Sequence, residues 1–307
     1  MPVVFFLSGY VCSYSLKKKQ GISEFYKKRY ITIAPAFYPA LLVVVLLNML
    51  WSSSHGYAYV GYGNTGLLSV ILNLALIHGL VPFCNNNVFP GAWFIGAVWI
   101  FYILHPLIMM AFEKIGRKWI VVVVGTVTGI VIPMMVNAFM TGSIYLDKDS
   151  FAYYLFVNHI LCYALGILCY YRKLESSRIS KGKNSVLAVL FLILAVMCFY
   201  SDLPIRYSLI SPLMGIFSYY FYRTLEEKRF SGKIARSLAL IGQNSLSIYI
   251  VHSIVVWPWA KALKGLIGTN NELIAFLVLA VPCILITLIL TLLFKKLVSV
   301  LTSLFSR

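Results

Sequence analysis

The sequence predicts an all-α polytopic membrane protein, with about nine transmembrane helices plus one re-entrant or interfacial segment in a single domain over residues 1–307. Three observations predict it. The chain is 61% hydrophobic and only 11% charged, too little polar surface to cover a water-soluble core of 307 residues. Apolar runs of roughly 18 residues or more recur from one end to the other, the length a helix needs to cross a bilayer. The basic residues gather in alternate connecting loops, as they do when loops sort to the two sides of a membrane.

Backbone polar groups in hydrocarbon must be satisfied inside helices or inside a closed barrel. A barrel requires strict alternation of apolar and polar residues, and the chain has none. The apolar segments are therefore helices, at 2–16, 31–51, 67–83, 92–112, 119–138, 151–171, 185–200, 207–222, 237–260 and 273–294. Pro35 and Pro39 are expected to kink the second, and His105-Pro106 to break the fourth near its middle.

The net charge is +17, from 26 Lys and Arg against 9 Asp and Glu. In a soluble chain this excess would suggest a nucleic-acid partner. Here it follows the loops instead, so the expected partner is the lipid bilayer and not nucleic acid. Loops 17–30, 113–118, 172–184 and 223–236 and the C-terminal tail together hold 22 of the 26 basic residues. The remaining loops hold four basic and four acidic residues and are neutral. The basic side is read as the cytoplasm, which gives a multi-pass protein of the bacterial inner membrane with its C-terminus inside. Stretch 52–91 has no charged residue, so both ends of segment 67–83 fall on the outer side and that segment does not cross. The remaining odd number of spans puts residue 1 outside, although no signal peptide leads it there. A helix preceding residue 1 is therefore expected, with the chain truncated relative to a complete protein.

Charged residues within the spans are almost absent, which argues against ion-coupled transport. The six cysteines lack metal-ligand spacing. Cys162 and Cys169 share a helical face but have no further ligands nearby, and no metal is expected. Polar residues near helix ends remain. Ser8-Gly9 lets two helices approach closely. Lys27, Lys28 and Arg29 are either a topology anchor or a phosphate-binding rim. Trp93 and Trp99 suit an interfacial belt, while Tyr102 and His105 sit one turn apart, deeper in the same helix. Ser245, Tyr249 and His252 share one face at i, i+4 and i+7, and such a stripe must meet a cavity or a partner helix. His252 is either a general base or one half of an interhelical hydrogen bond. His55, His78 and His159 lie near outer ends and carry less weight.

Four stretches together resemble the membrane acyltransferase-3 family, which O-acylates sugars of bacterial surface polysaccharides. VVFFLSGY is similar to that family's phenylalanine-rich serine-glycine motif, and FYKKRYITIAPAFYPALL to the basic approach to its third helix. AWFIGAVWIFYILHPL resembles its tryptophan-to-tyrosine helix, and IGQNSLSIYIVH its C-terminal serine, tyrosine and histidine helix. Three departures stand out. The family's first helix, with an arginine and its catalytic histidine, would precede residue 1. Thr32 stands where the family has a second arginine, and Val98 where it usually has a glutamate.

The resemblance implies an O-acyltransferase, most simply an O-acetyltransferase, with acyl-CoA (acetyl-CoA) as co-substrate. The acceptor would be a sugar hydroxyl of a glycan or its lipid-linked precursor. It makes His252 and Tyr249 the catalytic candidates on this chain, lining the cavity, expects a general base on the helix that would precede residue 1, and assigns acyl-CoA to Lys27, Lys28 and Arg29. Ser8, Trp93, Tyr102, His105 and Ser245 would line the substrate cavity. The rival readings are a transporter or translocator of a glycan or lipid-linked sugar, and an inactive remnant that only binds partners.

Overall fold

The computed structural model describes residues 1–17, 21–55, 66–81, 84, 88, 91–115, 118–139, 151–174, 181–203, 205–225, 232–264 and 272–305. These residues are helical or irregular, with no strand among them. In chain order the helices are α1 (Pro2–Lys17), α2 (Ile22–His55), α3 (Leu67–Leu74), α4 (Ala92–Lys114), α5 (Lys118–Phe139), α6 (Phe151–Tyr154), α7 (Ile160–Leu174), α8 (Lys181–Tyr200), α9 (Arg206–Leu225), α10 (Gly232–Lys264) and α11 (Glu272–Phe305). Short 3-10 turns cover His78–Leu80 and Phe156–His159.

Polarity is inverted relative to a water-soluble protein. Leu68, Val189, Met197, Leu292 and many other large apolar side chains are exposed, while Asn48, Asn73, His78, His105, Asn158, His159 and Ser211 are buried. Hydrocarbon surroundings explain both halves of this pattern. Five described helical stretches are long and apolar enough to cross a membrane: Ile22–Ser53, Ala92–Lys114, Trp119–Val136, Gly182–Tyr200 and Pro282–Val300. The chain is a multi-pass membrane protein.

The chain divides into two compact units. The first contains Met1–Tyr26 and Gly96–Arg229, the second Lys27–Ile95 and Phe230–Arg307.

The first unit is assembled around α7 by backbone contact at glycines. A methyl group added at Gly9 of α1 would land on the carbonyl oxygen of Tyr163, and one at Gly166 of α7 on the carbonyl oxygen of Phe6. The expected close approach at Ser8-Gly9 is therefore an α1–α7 crossing. On α5, Gly125 and Gly129 sit four residues apart, facing Ile160 and the carbonyl of Val157. Segment 151–171 is not the single helix expected from its hydropathy. It bends at Leu155, passes through a 3-10 turn and only then enters α7. Buried polar side chains support the bend: Asn158 Nδ2 donates to the carbonyl of Tyr207 at 3.0 Å. The carbonyl of Tyr153 can only accept, so His159 Nε2 donates to it at 2.9 Å. That leaves Nδ1 to accept from the Ser211 hydroxyl at 2.6 Å.

The His105-Pro106 break also does not occur: α4 runs through Pro106 without interruption. A proline removes one backbone hydrogen bond and loosens the carbonyls of the preceding turn. Tyr26 donates its hydroxyl to one of these, the carbonyl of Ile103, at 2.9 Å. Such side-chain donors allow proline inside a membrane helix.

In the second unit, the described residues of segment 67–83 form the eight-residue α3 and the His78–Leu80 turn. Eight residues rise about 12 Å, far short of a hydrocarbon core of roughly 30 Å. α3 alone is thus too short to cross as a helix. Its polarity is inverted in miniature: Leu67, Leu68, Ile71 and Leu74 are exposed, whereas Ser69 and Asn73 are buried. Three side chains tie the surrounding stretch down. Tyr38 of α2 donates to the carbonyl of Leu74 at 2.9 Å, at the end of α3 where helix carbonyls lack partners. Asn48 Nδ2 donates to the carbonyl of Val88 at 3.3 Å, and His78 Nε2 to that of Ala92 at 2.7 Å. Helices α10 and α11 pack together. Ile250 of α10 closes a small core with Ala36 and Ala40 of α2, flanked by Phe294 and Val298 of α11.

Candidate active site

The two catalytic candidates lie together in the second unit. The rings of Tyr249 and His252 are 5.2 Å apart on α10, and both residues are half-buried. Tyr249 also reaches the start of α4. Its hydroxyl donates to the carbonyl of Gly91 at 3.0 Å, and its ring meets Phe94 edge-on at 4.9 Å. Gly91 has φ +91°, which a glycine adopts without strain. A Cβ there would stand 2.8 Å from the Ser253 hydroxyl and 3.0 Å from that of Tyr249, so glycine is required for space as well. Ser253 turns back to the carbonyl of Tyr249 at 2.8 Å.

Tyr249 thus fastens the N-terminus of α4 and borders His252 at the same time. A phenol already donating to a carbonyl holds its ring still beside the imidazole.

The other candidates are distributed as follows. Ser245 is exposed, and its hydroxyl closes on its own helix at the carbonyl of Gly242, 2.8 Å away. Trp93 is only 5% exposed, so it faces protein and not a lipid–water boundary. Lys27 and Lys28 are exposed and Arg29 is half-buried, all in the second turn of α2. Ser8, Tyr102 and His105 belong to the first unit. There His105 is fully buried, shares a 3.0 Å hydrogen bond with the Tyr163 hydroxyl, and stacks on Phe25 at 5.4 Å. Ser8 is half-buried beside the Gly9 crossing, and Tyr102 packs against Trp99 at 6.4 Å.

Two histidines near outer ends in the sequence are structural fixtures. His78 and His159 are fully buried, each bonded to a backbone carbonyl and stacked on a phenylalanine, Phe37 and Phe5 respectively. Gly91 and Ser253 join the candidate site through their contacts with Tyr249. Pro90-Gly91 is a turn signal before a helix, and Ser253 extends the 245–249 spacing by one more turn.

Among the described residues no three His, Cys, Asp or Glu side chains cluster as a metal site. The model of the acyltransferase-3 family, an acyltransferase domain, matches residues 1–293. The chain belongs to that family and is an acyltransferase. No curated protein and no solved structure matches it.

Proposed function

We propose that this protein is an O-acyltransferase of the bacterial inner membrane. It takes an acyl group, most simply acetyl, from cytoplasmic acyl-CoA. It delivers that group to a sugar hydroxyl of a surface polysaccharide or its lipid-linked precursor. The observation that carries this reading is the His252–Tyr249 pair, half-buried on α10 of a chain matched to an acyltransferase family over residues 1–293. The exposed Lys27 and Lys28 beside Arg29 suit the phosphates of CoA, since cations outside the apolar segment bind phosphate without being desolvated. The excess of Lys and Arg in alternate loops supports placing this cluster and the C-terminus in the cytoplasm.

In the proposed reaction His252 accepts the proton of the sugar hydroxyl. The oxygen attacks the thioester carbonyl, the C–S bond breaks, and the CoA thiolate leaves and is protonated. Tyr249 keeps the imidazole in place. Membranes containing this chain, supplied with acetyl-CoA labelled in the acetyl group and with an acceptor glycan, are expected to label the glycan. The His252→Gln protein, at equal abundance, is expected not to. Labelling that persists undiminished in the variant removes His252 from the chemistry, and no labelling by either protein with any tested glycan removes the acceptor class.

A further inference from the structure

A groove of about 360 Å³ runs along the second unit, with Ala40, Val43, Val251, Ile254, Leu293 and Phe294 among its walls. Its α2 and α11 walls fall inside the candidate spans Ile22–Ser53 and Pro282–Val300. Its walls offer dispersion contacts but almost no hydrogen-bonding groups, which suits a hydrocarbon chain. Lys295 and Lys296 directly follow Phe294 and are both exposed. Helical geometry puts Lys296 three residues on from Leu293, so it borders the groove on the adjoining face.

Two adjacent cations at such a site need an anion or a route to water. Their own unit offers them very little. Across Lys27–Ile95 and Phe230–Arg307 the sequence contains a single acidic residue, Glu272, at the opposite end of α11. Glu272 lies about 35 Å along the helix from the lysines, at 1.5 Å per residue. An anion bound from outside the chain would supply the compensating charge. A molecule that joins a hydrocarbon chain to a phosphate matches both the groove and the lysines.

We propose that this groove seats an acyl chain of an anionic phospholipid whose phosphate meets Lys295 and Lys296. The site is separate from the acyl-transfer reading and stands or falls without it.

Native mass spectrometry of the full chain in detergent tests it, with dioleoyl-phosphatidylglycerol and dioleoyl-phosphatidylcholine as probes. The wild-type protein is expected to retain the anionic lipid at least about five-fold better, the scale of one basic residue at an anionic surface. Lys295→Gln with Lys296→Gln should bring the two lipids to equal retention. Val43→Phe with Leu293→Phe should lower retention of both by filling the groove. Equal retention of the two lipids by the wild type, or a preference unchanged in the lysine variant, overturns the proposal. So does undiminished retention by the groove-filled protein. A dimer that the filling substitutions dissociate also overturns it, because a second copy would then occupy the groove. If the filled variant does not fold, the lysine variant decides alone, since both side chains are exposed.

Discussion

The hydroxyl of Tyr249 donates to the carbonyl of Gly91, 158 residues earlier in the chain and 3.0 Å away. This one bond couples the helix that carries His252 to the turn that starts α4. Replacing Tyr249 with phenylalanine keeps the ring against Phe94 and removes only the hydrogen bond. The expected loss is about 1 kcal/mol of stability in detergent, together with reduced transfer as the imidazole loses its fixed neighbour. Thermal unfolding and labelled-acetate transfer check the two effects separately. Activity equal to wild type would show that the bond is structural only.

Gly91→Ala strikes the same place from the other side. The substitution forces an alanine to φ +91° and puts a methyl group against Ser253 and Tyr249. A loss of roughly 1–3 kcal/mol is expected, larger than for the tyrosine change. Comparison of the two melting temperatures checks this order.

Gly9→Ala or Gly166→Ala separates α1 from α7, because each methyl group meets backbone and not a movable side chain. Overpacking of this kind costs roughly 1–3 kcal/mol or more. Ser8→Ala, one residue from the crossing, should cost far less. Yield and melting temperature of the three proteins in detergent test this.

Glutamine at both Lys27 and Lys28 should raise the KM for acetyl-CoA roughly ten-fold and leave kcat nearly unchanged, as loss of a phosphate contact does. Added salt should raise the wild-type KM by screening the same charges, and the double variant should respond less. A fall in kcat at unchanged KM would assign these lysines to topology instead.

His78→Phe keeps the stack on Phe37 and removes the hydrogen bond to Ala92. About 1 kcal/mol should be lost. His78→Ala, which also empties the ring's buried volume, should lose roughly 2–4 kcal/mol. Hydrogen exchange over residues 67–81 is expected to quicken in both, and more in the second.

Much of the architecture was legible because hydrophobic length is a local property. Segments 2–16, 92–112, 119–138 and 185–200 match α1, α4, α5 and α8 to within a few residues. Segments 67–83 and 151–171 were misjudged in their continuity. Averaged hydropathy does not register one asparagine and one histidine, yet Asn73, His78, Asn158 and His159 are buried where the backbone leaves the helix. Pro106 failed to break α4 for the converse reason. Its relief comes from Tyr26, 77 residues before the carbonyl it serves, and no window around Pro106 contains that donor. The tyrosine and histidine spacing on α10 was readable from helical period, but the Gly91 partner was not.

The sequence by itself determined that this is a helical membrane protein and which family it belongs to. These follow from run length, charge placement and ordered motifs, all additive along the chain. Only the tertiary structure decided which histidines are locked to carbonyls, where the segments break and what Tyr249 holds. A buried polar group in lipid must find its partner wherever the fold brings one, and that pairing joins residues too far apart for any local pattern to encode.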